Sequence, residues 1–286
     1  MPFLAAITTT GEFMEKSLLL CLAHPDDEAG CAPLVARYIA EGARATLICA
    51  TNGEVGTVDE KFLTNYSSIA ELRLAELQCA TQVAGYTDVV TFGYRDSGMM
   101  GAKENLESSC LWQAPLEEVT DRIIEVIHRV RPQVLITFNT YGMYGHPDHI
   151  KINQATHAAF ERLQGEPDAP QKLYYINISI SKFHMKLFLT AMKIMGKDPR
   201  KVGVNADIDL IAAMESLTPI TTKIPTGYYR ARGWQASDCY PSQFQTSRFQ
   251  RITRRLFGRW TEAYSALSRI IPEHQIGETI EKDLFE

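Results

Sequence analysis

The chain has 286 residues, a formal net charge of -5 and a pI near 5.9. That balance gives no electrostatic case for nucleic acid or an anionic membrane surface, and no apolar run is long enough to span a bilayer. With 45% hydrophobic and 22% charged residues, the composition is that of a soluble globular protein with material for a large core.

Residues 1–14 read as a tail, with neither the basic nor the apolar region of a signal peptide, and Met14 is an alternative start. A cytoplasmic location is expected. The six cysteines (Cys21, Cys31, Cys49, Cys79, Cys110 and Cys239) contain no CxxC pair. Most lie in apolar runs, so they are expected as buried free thiols in a reducing compartment. Residues 15–286 are expected to form a single domain, with a core over 15–180 and a C-terminal part over 181–286.

In chain order, Leu18 to Ala23 is an unbroken apolar run that reads as a buried central strand. It runs into His24-Pro25-Asp26-Asp27-Glu28. Proline stops the strand, and Asp26 or Asp27 can cap the helix that follows. That helix spans Gly30 to Glu41 and stops at Gly42. Ala45 to Ala50 is a second strand, leading into the polar loop Thr51 to Gly56. Ser68 and Glu71 form a capping box for a helix with Ile69, Leu72, Ala75, Cys79 and Val83 on one stripe. Asp88 to Phe92 is a third strand, opening into Gly93 to Gly98.

From Pro115 a long helix carries Leu116, Val119, Ile123, Ile127 and Val130 at spacings of three and four, and Pro132 closes it. Val134 to Phe138 is a fourth strand, followed by Asn139 to His149, a helix through Leu163, and a fifth strand near Tyr174 to Ile178. This alternation predicts an α/β fold: a Rossmann-like, mostly parallel sheet with helices on both faces. Beyond Ser181 the pattern loosens. Phe183 to Met195 reads as helix, and so does the arginine-rich, amphipathic Arg248 to Ile271.

Two clusters carry the chemistry, and each follows its own strand. His24 and Asp27 stand three apart across a turn, and His146-Pro147-Asp148-His149 follows the fourth strand. Ligands of open α/β sheets bind beyond the carboxyl ends of strands. Two histidines and one carboxylate with a free position is the ligand set of a catalytic zinc site, which assigns His24, Asp27 and His149 to one Zn²⁺ per chain. Fe²⁺ or another divalent ion fits the same set. Asp26 is then the carboxylate left off the metal, suited to general-base work. His146 could donate to an oxyanion, and Asp148 could hold that imidazole in place. The same triad also describes a non-haem iron oxygenase, although oxygen chemistry does not require Asp26 and His146. A non-catalytic sugar- or nucleotide-binding module is the third option; the first turn lacks the GxGxxG of dinucleotide sites.

Ala23-His24-Pro25-Asp26-Asp27-Glu28 together with Gly145-His146-Pro147-Asp148-His149 resembles the PIG-L/LmbE-like zinc de-N-acetylases over Lys16 to about Leu163. The resemblance implies a hydrolase that removes the N-acetyl group from an N-acetylglucosaminyl glycoside or conjugate. Its small-molecule partner would be an N-acetylated amino sugar, and the enzyme could act alone or as a homo-oligomer. It assigns His24, Asp27 and His149 to zinc, Asp26 to the general base and His146 to transition-state stabilisation, and it matches Tyr144 to a tyrosine that polarises the carbonyl. Arg73, Glu54 and Asp96 fall in elements that look substrate-binding, the last in a loop like that of thiol-pathway members. Those members include amidases acting on larger glucosaminyl thiol conjugates, which remain an alternative. The C-terminal part is expected to complete the substrate site. There it departs from the family's frequent Cys-His-x-Ser-Gln: the chain reads Cys239-Tyr240-Pro241-Ser242-Gln243.

Overall fold

A computed structural model describes residues 15–178, 182–203, 206–244 and 264–286. Seven strands form one sheet in the order β3-β2-β1-β4-β5-β7-β6. The first apolar run is β1 (Ser17–Leu22), buried along its whole length. It lies between β2 (Arg44–Thr51) and β4 (Val134–Thr137), parallel to both. β3 (Asp88–Tyr94) and β5 (Lys172–Ile176) extend the parallel part outward. The α/β expectation therefore holds, and the strand order turns back between β1 and β4. At such a switch point the connections leave in opposite directions and open a crevice beyond the strands' carboxyl ends.

α1 (Ala32–Ala40) and α2 (Ile69–Ala84) pack together with α8 (Arg230–Asp238), whereas α3 (Leu116–Val130) and α5 (Pro147–Arg162) pack on each other. Right-handed crossovers put the two groups on opposite faces of the sheet once the strand order reverses. On α3 the predicted stripe is buried at Val119, Ile123, Ile127 and Val130. The remaining helices are α4, a single irregular turn over Gly142–Gly145, α6 (Lys182–Ile194) and α7 (Leu210–Glu215).

Four expectations change. The buried face of α2 is not the apolar stripe: it carries Leu72, Arg73, Glu76, Leu77, Ala80, Thr81 and Ala84, while Cys79 is exposed. The capping box is half made. Ser68 Oγ accepts from the Glu71 N–H, but the Glu71 carboxylate reaches Ser67 rather than Ser68. The helix expected over Arg248 to Ile271 is strand in its described part: β7 (Tyr264–Ile271) runs antiparallel to both β5 and β6 (Thr222–Pro225). Residues 245–263 lie outside the described residues. β7 lies between β5 and β6 with Ala266, Leu267 and Ser268 buried at its centre, and its arginine, Arg269, pairs with Glu281 and Glu278.

The cysteines also depart from expectation. Cys79 and Cys239 form a disulfide across 160 residues, while Cys21, Cys31, Cys49 and Cys110 are buried free thiols. Sitting on the outer side of α2, Cys79 is free to meet the C-terminal segment rather than the core.

Candidate active site

Both predicted clusters emerge at the switch point. At the end of β1, Asp26 takes a left-handed backbone, with φ 111° and ψ -23°, and makes no side-chain cap to the short 3₁₀ turn Asp27–Cys31. Asp27 does not cap either. Its carboxylate turns back to accept the His24 backbone N–H at 2.7 Å, which holds the two side chains together. After β4, Asn139 Oδ1 accepts from Met143 N and tightens the turn. His146 then becomes the N-cap of α5, its Nδ1 accepting the Asp148 N–H at 3.2 Å, with Pro147 in the first helical position. That bond fixes the neutral tautomer of His146, with its proton on Nε2.

Side chains of three residues converge. His24 Nδ1 stands 3.1 Å from His149 Nε2 and 3.5 Å from Asp27 Oδ2, and His149 Nε2 is 3.4 Å from Asp27 Oδ1. Ligands about 2.0–2.1 Å from a tetrahedral zinc lie about 3.3–3.4 Å from one another, so these spacings, the two to Asp27 being measured to different oxygens of its carboxylate, have the size of those in a metal's ligand shell. Its electrostatics agree. The buried carboxylates of Asp96 and Asp148, like Asp27, meet histidines and no Lys or Arg among the described residues. Buried charge in that condition calls for a cation. Burial opposes a charge on His24, but the carboxylates of Asp96, Asp148 and Asp27 outweigh it and raise its pKa well above the usual value. Asp27 likewise stays well below the usual carboxylate range: burial resists ionisation, and His149 and His24 prevail. His149 lies stacked on Phe138, with ring centroids 3.8 Å apart. Its Nδ1 is buried without a hydrogen-bond partner among the described residues. The residues present therefore fit a divalent metal ion.

Asp148 does a different job from the one expected. Its carboxylate accepts from His24 Nε2 at 3.1 Å and from Ser97 N at 2.9 Å and Ser97 Oγ. Only its backbone N–H reaches His146. The bond to Nε2 holds the His24 ring with Nδ1 facing His149 and Asp27, so Asp148 orients His24. His146 is buried, and burial together with the neighbouring His24 and His149 depresses its pKa well below the usual histidine value. It is a neutral donor. Asp26 is shifted the other way: burial pushes its carboxyl up, Arg73 offsets part of this, and the charge on Asp27 adds to it.

The outer residues divide. Tyr144 stands against two of the site's histidines, its ring T-shaped to His149 at 5.1 Å and to His146 at 6.0 Å. Arg73 is buried and donates through Nη2 to Asp26 Oδ2 at 2.8 Å and to the Pro25 carbonyl. Its Nε and Nη1 are buried and have no hydrogen-bond partner among the described residues. Asp96 is buried, 3.6 Å from His24 Nε2 and 4.0 Å from His146 Nε2, and the Glu54 carboxylate accepts the Asp96 N–H at 3.2 Å. Sequence reasoning missed Ser97, Phe138 and the pair Glu28–Tyr240. Ser97 lies in the Arg95 to Met99 loop that looks substrate-side, but nothing there marks its bond to Asp148, and no motif marks Phe138. Tyr240, at the departed position, is fully buried and donates to Glu28 Oε1 at 2.7 Å.

Comparison with known proteins follows the same residues. A family described as PIG-L, GlcNAc-PI de-N-acetylase, matches residues 19–160. Three relatives carry the name 1D-myo-inositol 2-acetamido-2-deoxy-α-D-glucopyranoside deacetylase. The Acidothermus cellulolyticus protein is 33% identical, with 95% of each chain covered. That of Thermobifida fusca is 35% identical over 80% of this chain and 84% of its own. The match to the Thermobispora bispora protein, 41% identical, spans about half of each chain, 54% and 55%. Among solved structures, a conserved protein of Thermus thermophilus superposes with a TM-score of 0.56 at 17% identity, over 94% of this chain and all of its own. The Pseudomonas putida hydratase GalB gives 0.58 at 14%, over 92% of this chain and 100% of its own. At those identities the likeness is one of fold.

Proposed function

We propose, for a chain that belongs to the PIG-L de-N-acetylase family, a metal-dependent hydrolase that removes the acetyl group from the amine of an N-acetylglucosaminyl compound. The first substrate to try is the one in its relatives' names, 1D-myo-inositol 2-acetamido-2-deoxy-α-D-glucopyranoside. The observation that supports this reading best is the approach of His24 Nδ1, His149 Nε2 and the Asp27 carboxylate to one another, with a second carboxylate and a neutral imidazole beside them. Held by these three residues, a zinc ion would supply Lewis-acid polarisation and a water whose pKa is lowered to about 7.

The chain's own residues would do the rest. Asp26 takes the proton of the attacking water on its carboxylate and returns it to the departing amine nitrogen; its raised pKa suits both transfers. His146 donates its Nε2–H to the acyl oxygen as negative charge develops, which a neutral imidazole does without first losing a proton. Tyr144, whose ring stands against His146 and His149, supplies a second donor. Arg73 and the loops of Glu54 and Asp96 form the substrate side.

The experiment is amine and acetate release from that inositol glycoside, from other N-acetylglucosaminides and from glucosaminyl thiol conjugates. The protein is first stripped by chelator, then reloaded with Zn²⁺ or Fe²⁺ under anaerobic conditions. Release with zinc is expected, and Asp26→Ala should lower it by about 10²–10⁴ while still binding one metal per chain. No amine from any of these compounds would overturn the assignment.

A further inference from the structure

Glu28 and Tyr240 stand 212 residues apart in sequence and meet in the interior, 1% and 0% exposed. Glu28 uses both carboxylate oxygens. Oε1 accepts the Tyr240 hydroxyl at 2.7 Å, and Oε2 accepts the backbone N–H of Asp26 at 3.0 Å. Asp26 is the residue with φ 111°, a backbone region costly for any side chain, which persists only where surrounding contacts fix it. From this geometry we propose that Glu28 and Tyr240 are positioning residues for Asp26, and that the C-terminal segment thereby sets the rate of the reaction without touching substrate.

The proposal rests on the assignment of Asp26 as general base. Its frame is complete on the other side too. Arg73 holds the Asp26 carboxylate at 2.8 Å and sits 5.6 Å from the centre of the Tyr240 ring. The segment carrying Tyr240 is fastened to α2 at two further points. Ser242 N and Oγ both donate to the buried Glu76 carboxylate, at 3.0 and 2.6 Å, and the neighbouring Cys239 is bonded to Cys79. One helix thus holds the base's side chain and anchors the strut beneath its backbone. Since Tyr240 has no exposed surface, it can act on the reaction only through what it touches.

The test uses the full-length, metal-loaded protein with Tyr240→Phe, Glu28→Ala, Glu28→Gln and the double variant Tyr240→Phe/Glu28→Ala, alongside Asp26→Ala. A small displacement of a reacting group is enough to cost orders of magnitude. Tyr240→Phe is expected to lower kcat about tenfold and Glu28→Ala about a hundredfold, with KM within about twofold and one metal per chain retained. Glu28→Gln keeps an oxygen for the Asp26 N–H and should recover most of the rate. Tyr240→Phe should add little in the Glu28→Ala background, because its effect passes through Glu28. Hydrogen exchange at the Asp26 amide, read without substrate, should speed up in Tyr240→Phe. If Glu28→Ala fails to fold, Tyr240→Phe, which removes a single oxygen, carries the test. Unchanged kcat in Tyr240→Phe and Glu28→Ala, while Asp26→Ala is inactive, would overturn the positioning role alone. So would a loss carried by KM, or losses that simply multiply in the double variant. Full activity in Asp26→Ala would instead overturn the base assignment on which the proposal rests.

Discussion

Gly142 shows how much rides on one absent methyl group. Its φ is +69°, and a Cβ there would lie 2.9 Å from His149 Cβ and 3.1 Å from Ile150 N. A side chain at this position must displace the helix start that carries His149. Gly142→Ala is therefore expected to weaken metal binding by about tenfold or more, the scale on which disturbed support of a ligand is felt. A metal titration against the parent chain measures it, and unchanged affinity would show that the turn can give. The two clusters were legible from short-range spacing, since His24 with Asp27 and His146 with His149 each span a single turn. The partner of Asp148 was not. Its carboxylate meets His24, 124 residues away, and nothing local in the sequence encodes that distance.

At the scale of elements, α2 explains both a failed expectation and a gain. A helix is normally read from its apolar stripe, but this one buries Arg73 and Glu76 toward the site and leaves Cys79 outside. Polar residues in a buried face are what a functional surface looks like from the sequence side. The same geometry brings Cys79 to Cys239. Thiol titration of the denatured, unreduced protein should find the four free cysteines, Cys21, Cys31, Cys49 and Cys110, and two more should appear after reduction. Cys79→Ser is expected to lower the unfolding free energy by about 2–4 kcal/mol, measured by denaturant titration. Six thiols from the start would contradict the bridge.

Over the whole molecule, the C-terminus is a structural part of the sheet and not an appendage. Glu281 joins three strands: it meets Lys172 at 3.2 Å and the Tyr174 hydroxyl at 3.0 Å on β5, Thr222 at 2.7 Å on β6, and Arg269 at 2.7 Å on β7. Burial resists its ionisation, but Thr222, Arg269 and Lys172 together hold its carboxyl below the ordinary value of 4.5. A depressed folded-state pKa means that the unfolded chain binds the proton more readily. The stabilisation is thus full above about pH 4.5 and is lost as pH falls through the lower folded value. Glu281→Gln should be less stable than the parent at pH 7, and the two should converge below about pH 4.5; denaturant titrations at stepped pH would show a constant gap if the idea is wrong. Fold alone does not choose the chemistry, since a hydratase shares this architecture.

The amino-acid sequence by itself determined the alternation of strands and helices, the ends at which the two clusters sit and the kinds of atoms they offer. Periodicity, proline and turn spacing act over a few residues, so they are written locally. Only the tertiary structure decided that His24 is oriented by Asp148, that Tyr240 braces Glu28 beneath Asp26, that Cys79 finds Cys239, and that the residues leading to Ile271 finish as a strand. Each of those depends on which distant surfaces pack together, and packing is settled by the whole chain.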